Sequence, residues 1–391
     1  MASVKEVLGR IGAAEEGAGL AIRPVRGWNA RRIFVDLPFR IHGGDPTWVP
    51  PLRMGVYDRI SRRHPANQHQ RNQLWIAYRR GRPVGRIGAC IDESYNQFHD
   101  VRWGWVGFFD SFDDPDVAGG LFEAAKGWLR QQGIEHCAGP ANFTTNDEVG
   151  LLVDGFDELP VLLTLQNPRY YEQLWTGAGW EPLEDLWAWR FEKPRTALSD
   201  RQRKVLARIQ ERSGLRLRNI DMENFEADVS RFFDLYNSAW SENLGFAPMS
   251  EGEVQHLAKQ LKSIIKPEWA IGLEDAEGTL IGVCIALPDI NRILVRARSG
   301  RLLPFTWARL LLGRNRLDHA RVFALGVRPE RQHLAAGPLL YQAIVDHLAA
   351  DPYIATAEAS WTLASNHRIN DQLSAMGATR SKVWRLYQQA L

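Results

Sequence analysis

The chain has 391 residues, 45% of them hydrophobic, and a formal net charge of +2. That length predicts two domains, the apolar content is ample for packed cores, and so small a charge does not by itself point to nucleic acid. Cys90, Cys137 and Cys284 stand far apart at no metal or redox spacing, so they read as small buried residues of a reducing compartment. The stretch 1–21 carries Glu6, Glu15 and Glu16 and lacks the apolar centre of a signal peptide. No run of about 18 apolar residues exists, so no membrane span is predicted and the expected place is the cytoplasm. Of the 15 tryptophans, most read as core and some as the lining of an apolar channel.

In chain order, Leu20-Ala21-Ile22-Arg23-Pro24-Val25 alternates as a strand, and a helical run follows at 30–41, ending near Gly43-Gly44. A proline loop, Trp48-Val49-Pro50-Pro51, leads to a hairpin of 74–79 and 84–91 around Arg80-Gly81-Arg82-Pro83. A strand at 105–112 and a helix at 117–132 come next. Asn167-Pro168-Arg169-Tyr170-Tyr171 then leads through a short helix to Gly179. A charged helical run at 199–211 reads as a connector.

From Leu215 the grammar repeats. A strand at 215–220 is followed by a helix at 225–240 and the proline loop Phe246-Ala247-Pro248. A hairpin of 269–273 and 279–287 surrounds a turn at 274–278. Then come a strand at 322–327, a helix at 337–348, a strand at 355–361, and an Asn366-led helix closing at Gly377. The order β-α-β-β-β-α-β-α, met twice, predicts a mixed α/β (α+β) duplication. Its parts are a tail 1–19, a first domain 20–197, a helical connector 198–212 and a second domain 213–391.

Between the predicted strand at 322–327 and the helix at 337–348 lies Gln332-His333-Leu334-Ala335-Ala336-Gly337. A strand, a turn of small residues and a helix N-terminus make a pocket of backbone N–H groups suited to an anion. The spacing resembles the Q/R-x-x-G-x-G/A pyrophosphate loop of GNAT acyltransferases, with Ala335 in place of the first glycine. Other segments carry a closer likeness. They are the loop from Gly139 through Asn142, Asn146, Asp147 and Glu148 to Gly150, then Asn167-Pro168-Arg169-Tyr170-Tyr171 and Tyr236-Asn237-Ser238-Ala239-Trp240. Asn243-Leu244-Gly245-Phe246-Ala247-Pro248, Pro288-Asp289-Ile290-Asn291 and Glu358-Ala359-Ser360-Trp361 complete the set. In this order they resemble the bacterial ceramide synthase-like family of GNAT proteins, from about Leu20 to the C-terminus.

The resemblance implies a tandem GNAT fold that moves a long-chain fatty acyl group from acyl-CoA to the amine of a sphingoid base, giving a (dihydro)ceramide. The strand 322–327 should splay from its neighbour 355–361, placing Leu325, Val327 and Arg328 nearest the thioester. Gln332, His333, Ala335, Ala336, Gly337 and Asn366 should hold the rest of CoA. The corresponding turn in the first half carries Asp110, Asp113, Asp114 and Asp116. Like charges of that number oppose a diphosphate by about 1–4 kcal/mol each, so the donor is expected in the second half. The same acids also suit the cap of the helix that follows.

N-acylation needs the thioester held, its oxyanion polarised and the amine deprotonated. No Ser-His-Asp or Cys-His set stands out, and no metal is required. Glu148, in a polar loop with Asn142, and Glu358, in a strand of small residues, are the candidate bases, and Asn142 is a third catalytic candidate; the bland alternatives are a solvated loop acid, an arginine's partner and a turn former. Tyr170, Tyr171, Trp240, Phe246, Asp289, Asn291 and Trp361 are expected at the acceptor or acyl chain, with core packing and turn-making as the plainer readings. The stretch 292–321 interleaves arginines with leucines and aromatics against one acid, Asp318. It suits an anionic inner-membrane surface, a cover over the acyl chain, or an ordinary solvated face. Nucleic acid is not expected. A transferase acting on an amino acid or aminoacyl group, and a non-catalytic acyl-CoA- or lipid-binding protein, stay open on the residues alone.

Overall fold

The computed structural model describes residues 19–192, 199–241 and 245–391. Most of the tail 1–19, the boundary at 197 and the pair Asn243-Leu244 lie outside them.

In chain order the first half contains β1 (Leu20–Pro24), α1 (Gly27–Ile41), α2 (Arg53–Arg59), β2 (Gln70–Arg79), β3 (Arg82–Asp92) and α3 (Glu93–His99). It continues with β4 (Trp103–Ser111), α4 (Pro115–Gln131), β5 (His136–Gly139), β6 (Leu151–Asp154), α5 (Tyr171–Gly177) and β7 (Glu181–Glu192). The connector helix is α6 (Asp200–Arg212), closed at its start by a capping box of Ser199 and Gln202. The second half contains β8 (Arg216–Asn219), α7 (Phe225–Ala239), α8 (Glu251–Leu261), β9 (Ala270–Glu274), β10 (Leu280–Pro288) and α9 (Asn291–Leu294). It ends with α10 (Thr306–Gly313), β11 (His319–Val327), α11 (Ala336–Ala350), β12 (Thr356–Leu363), α12 (His367–Ala375) and β13 (Thr379–Ala390).

Among the described residues one 13-stranded sheet runs through both halves in the order β1-β2-β3-β4-β5-β13-β7-β12-β11-β10-β9-β8, with β6 off this path against β13. It reads the same way from either end, as a duplication does. The parallel pairs are β4 with β5 and β11 with β12; the other ladders are antiparallel. The last strand of each half crosses over. β13 pairs with β5 of the first half, at Gln388↔Ala138, and β7 pairs with β12 of the second, at Arg190↔Glu358.

The predicted order contained neither β7 nor β13, and these are the strands that join the halves. β7 is buried at Leu186, Ala188, Trp189 and Phe191, the run expected of a central strand covered on both faces. Such a run carries no clean period-2 signal.

Helices cover the sheet where their apolar stripes allow. α4 buries Val117, Ala118, Leu121, Phe122, Ala125 and Leu129 against β2 and β3. α11 buries Leu339, Leu340, Ile344 and Leu348 in the equivalent place. Among the described residues no helix is long and apolar enough to cross a membrane.

Candidate active site

The two parallel ladders end early, and each leaves a V-shaped gap. In the second half, β11 and β12 pair from His319↔Thr356 only as far as Val322↔Ala359, while β11 runs on to Val327 and β12 to Leu363. Their facing backbone groups beyond that point line a cavity of about 1360 Å³.

In the first half, β4 and β5 pair only to Trp105↔Ala138, but there the gap is filled. The loop after β5 folds back into it. The Ala141 N–H donates to the Val106 carbonyl at 2.9 Å, and the Phe108 N–H donates to Asn142 Oδ1 at 2.6 Å. The fit leaves no room for a side chain at Gly107, where a Cβ would lie 1.7 Å from the Ala141 oxygen.

The acids of the first half's turn also have occupations of their own. Asp110 is held by His42 Nε2 and Arg86 Nε, each at 2.6 Å. Asp114 caps α4 by accepting from the Asp116 and Val117 N–H groups, both at 3.2 Å, and pairs with Arg79 at 2.8 Å.

The open gap continues into the predicted anion loop. A short 3₁₀ turn, Pro329–Leu334, follows β11, and Ala335 takes the left-handed conformation, φ 55°, before α11 begins at Ala336. The first-turn N–H groups of that helix have no acceptor within it. Leu325, Val327, Gln332, His333, Ala335, Gly337 and Asn366 all line the cavity. Ala336, expected among them, is instead fully buried in the core and does not line the cavity. Arg328 faces away: its N–H donates to the Ile281 carbonyl at 2.8 Å and its Nε to the Leu280 carbonyl at 3.0 Å. Asn366 caps α12, accepting from the Ile369 N–H at 3.3 Å. Asn167, its counterpart in sequence, instead fixes the backbone of Leu152, and Tyr170 occupies the cap position of α5.

Glu148 faces the same cavity from the loop that fills the first gap. Asn142 Nδ2 donates to Glu148 Oε2 at 3.1 Å, so one amide closes the gap and positions the carboxylate. Glu148 keeps part of its surface open to the cavity while lying deep in the molecule. Burial pushes its carboxyl above the ordinary range, opposed by the Asn142 bond and supported by the charge of Asp147; Arg86 and Arg321 also oppose it. Asp147 is itself tied to Arg59, at 3.0 and 2.8 Å.

Glu358 sits elsewhere. It is buried in β12, its carboxyl is raised by burial, opposed by the neighbouring Ser360 hydroxyl and then by the charges of Arg321 and Lys382, and it is not part of the cavity wall.

The aromatic residues divide similarly. Tyr171, Trp240, Phe246 and Trp361 line the cavity. Tyr170 does not; its hydroxyl donates to the Ser111 carbonyl at 2.8 Å. Asp289 lies behind the wall. It accepts the Leu162 N–H at 3.0 Å, and burial pushes its carboxyl up to about 7. Asn291 does line the cavity and donates to the Pro160 carbonyl at 2.8 Å.

Other residues on the wall were not among the expected site residues. Arg321 stands at the base of the open gap and donates to the Ser360 carbonyl at 2.9 Å and to the Leu162 carbonyl; burial pulls it down to about 10. An arginine opening an apolar strand was the available signal, since a buried charge is costly unless it is used. The Tyr236 hydroxyl donates to Asn146 Oδ1 at 2.6 Å, linking α7 to the Glu148 loop. Tyr341, on α11, also faces the cavity.

Asp58, His64 and His256 bring potential metal-ligating atoms within 4.8 Å of one another. They are already satisfied as a knot between the halves. His256 Nε2 lies 2.7 Å from Asp58, and His64 Nδ1 accepts the Ala66 N–H at 3.3 Å.

No family model matches the chain. A bacterial ceramide synthase from Caulobacter vibrioides (strain NA1000 / CB15N) is 34% identical over 381 residues, covering 96% of this chain and 98% of its own. The chain belongs to the bacterial ceramide synthase-like family of tandem GNAT-fold acyltransferases. Protein YghO of Escherichia coli (strain K12) is 31% identical over 369 residues, 93% of either chain.

Solved structures agree on the fold. A tandem GNAT protein from the clavulanic acid biosynthesis pathway matches with TM-score 0.55 at 13% identity, over 95% of this chain and 98% of its own. A probable N-acyltransferase from Enterococcus faecalis V583 matches with TM-score 0.53 at 11% identity, over 95% and 73%. In this member of the ceramide synthase-like family, then, one GNAT half keeps its gap open and the other closes it with its own loop.

Proposed function

We propose that the chain transfers a long-chain fatty acyl group from acyl-CoA to the amine of a sphingoid base, releasing CoA and a (dihydro)ceramide-type amide, in the cytoplasm at the inner membrane surface. The relative's name motivates the substrates. One observation carries the chemistry: the open gap of the second half and Glu148 of the first half face one cavity.

In this reading the CoA diphosphate rests on the N–H groups of Ala335 and Gly337, flanked by Gln332 and His333, with Asn366 across the cleft. The pantetheine arm follows Leu325 and Val327. Arg328 braces the loop from behind. Trp240, Phe246 and Trp361 border the acceptor's chain, Tyr171 forms the far wall, and Asp289 with Asn291 shapes the wall through the 160–162 loop. Asn142 is a positioning residue for Glu148.

The amine's nitrogen pair forms a bond to the thioester carbon, and the carbonyl pair moves onto oxygen. Backbone N–H groups of the unpaired part of β11 stabilise that oxyanion. Collapse breaks the C–S bond and releases CoA thiolate. The proton leaving nitrogen passes to Glu148, directly or through a water, and from there to the thiolate. A carboxyl raised by burial is better matched to this relay than an exposed one.

The test is incubation of the purified protein with palmitoyl-CoA and a panel of amines, with products weighed by mass spectrometry. A sphingoid-base amide is expected. Acylation of amino acids alone would remove the substrate assignment. Donor binding with no amide from any amine would make this a binding protein.

A further inference from the structure

The segment between α9 and β11 exposes apolar side chains in a way a solvated helix does not. Leu303, Phe305 and Leu312 are 66%, 72% and 80% exposed, and Trp307 and Leu311 are 43% and 51%. Single exposed leucines are ordinary; a contiguous set of leucines and aromatics marks an interaction surface. On α10, Thr306 and Leu310 face inward while Trp307 and Leu311 face out, so both sides of the helix are apolar. The rim is basic: Arg296, Arg301, Arg309 and Arg316 are exposed, and among the described residues none of them makes an ion pair.

The inner side of α10 leads to the cavity. Leu310 packs in one cluster with Ile290, Leu294, Val49, Leu52 and Leu162. Those last five also line the cavity. The exposed patch and the cavity's apolar wall are therefore two sides of one layer of side chains.

We propose that this patch docks on an anionic lipid bilayer. Leu303, Phe305, Trp307, Leu311 and Leu312 enter the interface, and the arginines meet the lipid phosphates. Apolar side chains ringed by unpaired cations are complementary to such a surface and to few others. Resting on the lipid-acceptor reading above, docking also sets the cavity's apolar wall against the membrane, so that an amphiphile passes from bilayer to site without crossing water.

Co-sedimentation with vesicles tests this, using phosphatidylglycerol-rich and pure phosphatidylcholine vesicles at low and high salt. The protein should partition onto the anionic vesicles at least tenfold more strongly, and salt should weaken it. Arg301→Gln and Arg309→Gln should each lower partitioning about fivefold. Phe305→Asp with Leu312→Asp should lower it at least tenfold, with the melting temperature unchanged because both positions are exposed.

A protein that stays in the supernatant, or variants that sediment like the parent, would overturn the proposal. So would a dimer that Phe305→Asp converts to monomer while vesicle binding persists, because a second copy would then be the occupant. Amide formation from detergent-dispersed substrates is scored separately. Its loss would count against the proposed reaction, and the loss of sedimentation against the docking surface.

Discussion

Gly337 offers a perturbation whose effects on stability and on donor binding have opposite signs. It lies in the first turn of α11, and a Cβ built there meets nothing within 4 Å. Gly337→Glu therefore creates no clash in the free protein. Replacing glycine in a helix by glutamate gains roughly 0.5–1 kcal/mol. An acid near a helix N-terminus gains about 0.3–1 kcal/mol more. The variant should melt a few degrees above its parent.

Donor binding should move the other way. The new carboxylate stands where the diphosphate is proposed to rest, and like charges at that range oppose one another by about 1–4 kcal/mol. Affinity should fall by roughly 5- to 1000-fold at ordinary salt, before any steric term. The assay is a melting curve with and without palmitoyl-CoA, backed by titration calorimetry. At 100 times its dissociation constant a ligand contributes about 2.7 kcal/mol to the parent's stability, and at the same concentration this gain should fall to between about 1.8 and about 0.1 kcal/mol in the variant. A variant that melts higher and still takes the full ligand-induced shift would refute the placement of CoA on this loop.

The remaining expectations use other sites. Glu148→Gln should lower turnover by about 10²–10⁴-fold, abolish the acidic limb of the pH–rate profile and leave donor affinity intact; normal turnover would remove Glu148 as the base. Glu358→Gln should act on stability instead, because it removes a buried carboxyl whose charge attracts the buried Arg321 and Lys382. Turnover per folded molecule should stay within about tenfold of the parent, checked by active-site-normalised rates. Asp113→Asn with Asp114→Asn keeps an oxygen to cap α4, so it should cost no more than about 1 kcal/mol, through the lost pair with Arg79, seen in urea midpoints, and leave donor affinity unchanged. His69 bonds Asp92 at 3.0 Å and Glu253, from the other half, at 2.8 Å; these bonds raise its pKa to about 10 against an unfolded value near 6.5. A raised histidine contributes stability that is complete below about 6.5 and is lost as pH climbs through about 10, so the urea midpoint should fall across that window, and fall less in His69→Gln.

What could be read from residues alone follows from the range of the interactions. The hairpins of β2–β3 and β9–β10, the helices α4 and α11 and the turn at Ala335 rest on local pattern, and the structure has each within a few residues of its expected place. The open gap was also foreseeable, because it lies between a strand and the anion loop that follows it. The exchange of β7 and β13 was not. Their partners are β12 and β5, each contributed by the other half, and no local pattern names a distant partner. The closed gap was hidden for the same reason. Asn142 reads as a catalytic candidate or a turn former, and its closing of the gap shows only once its amide is found on the Phe108 N–H, 34 positions away. In sequence both Glu148, in a polar loop, and Glu358, in a strand of small residues, read as candidate bases, with the loop position favouring Glu148. They differ in which side of the wall they occupy, and that depends on how the loop at 139–150 and the strand β12 pack.

The division of labour between the halves has a physical basis in that one loop. A GNAT gap exposes strand N–H groups that need an acceptor, and burying them unpaired would cost about 1–3 kcal/mol each. In the second half these groups face the cavity, where a thioester and pantetheine are proposed to meet them. In the first half Asn142 supplies an acceptor permanently, and Ala141 and Phe143 fill the space a donor would take. The side chain that satisfies the first gap also anchors Glu148 by its other amide atom. Closing one site and equipping the other are thus a single arrangement. A substitution that reopened the first gap would be expected to release Glu148 rather than create a second donor site. The acids Asp110 and Asp114, engaged by His42, Arg86 and Arg79, would still oppose a diphosphate there.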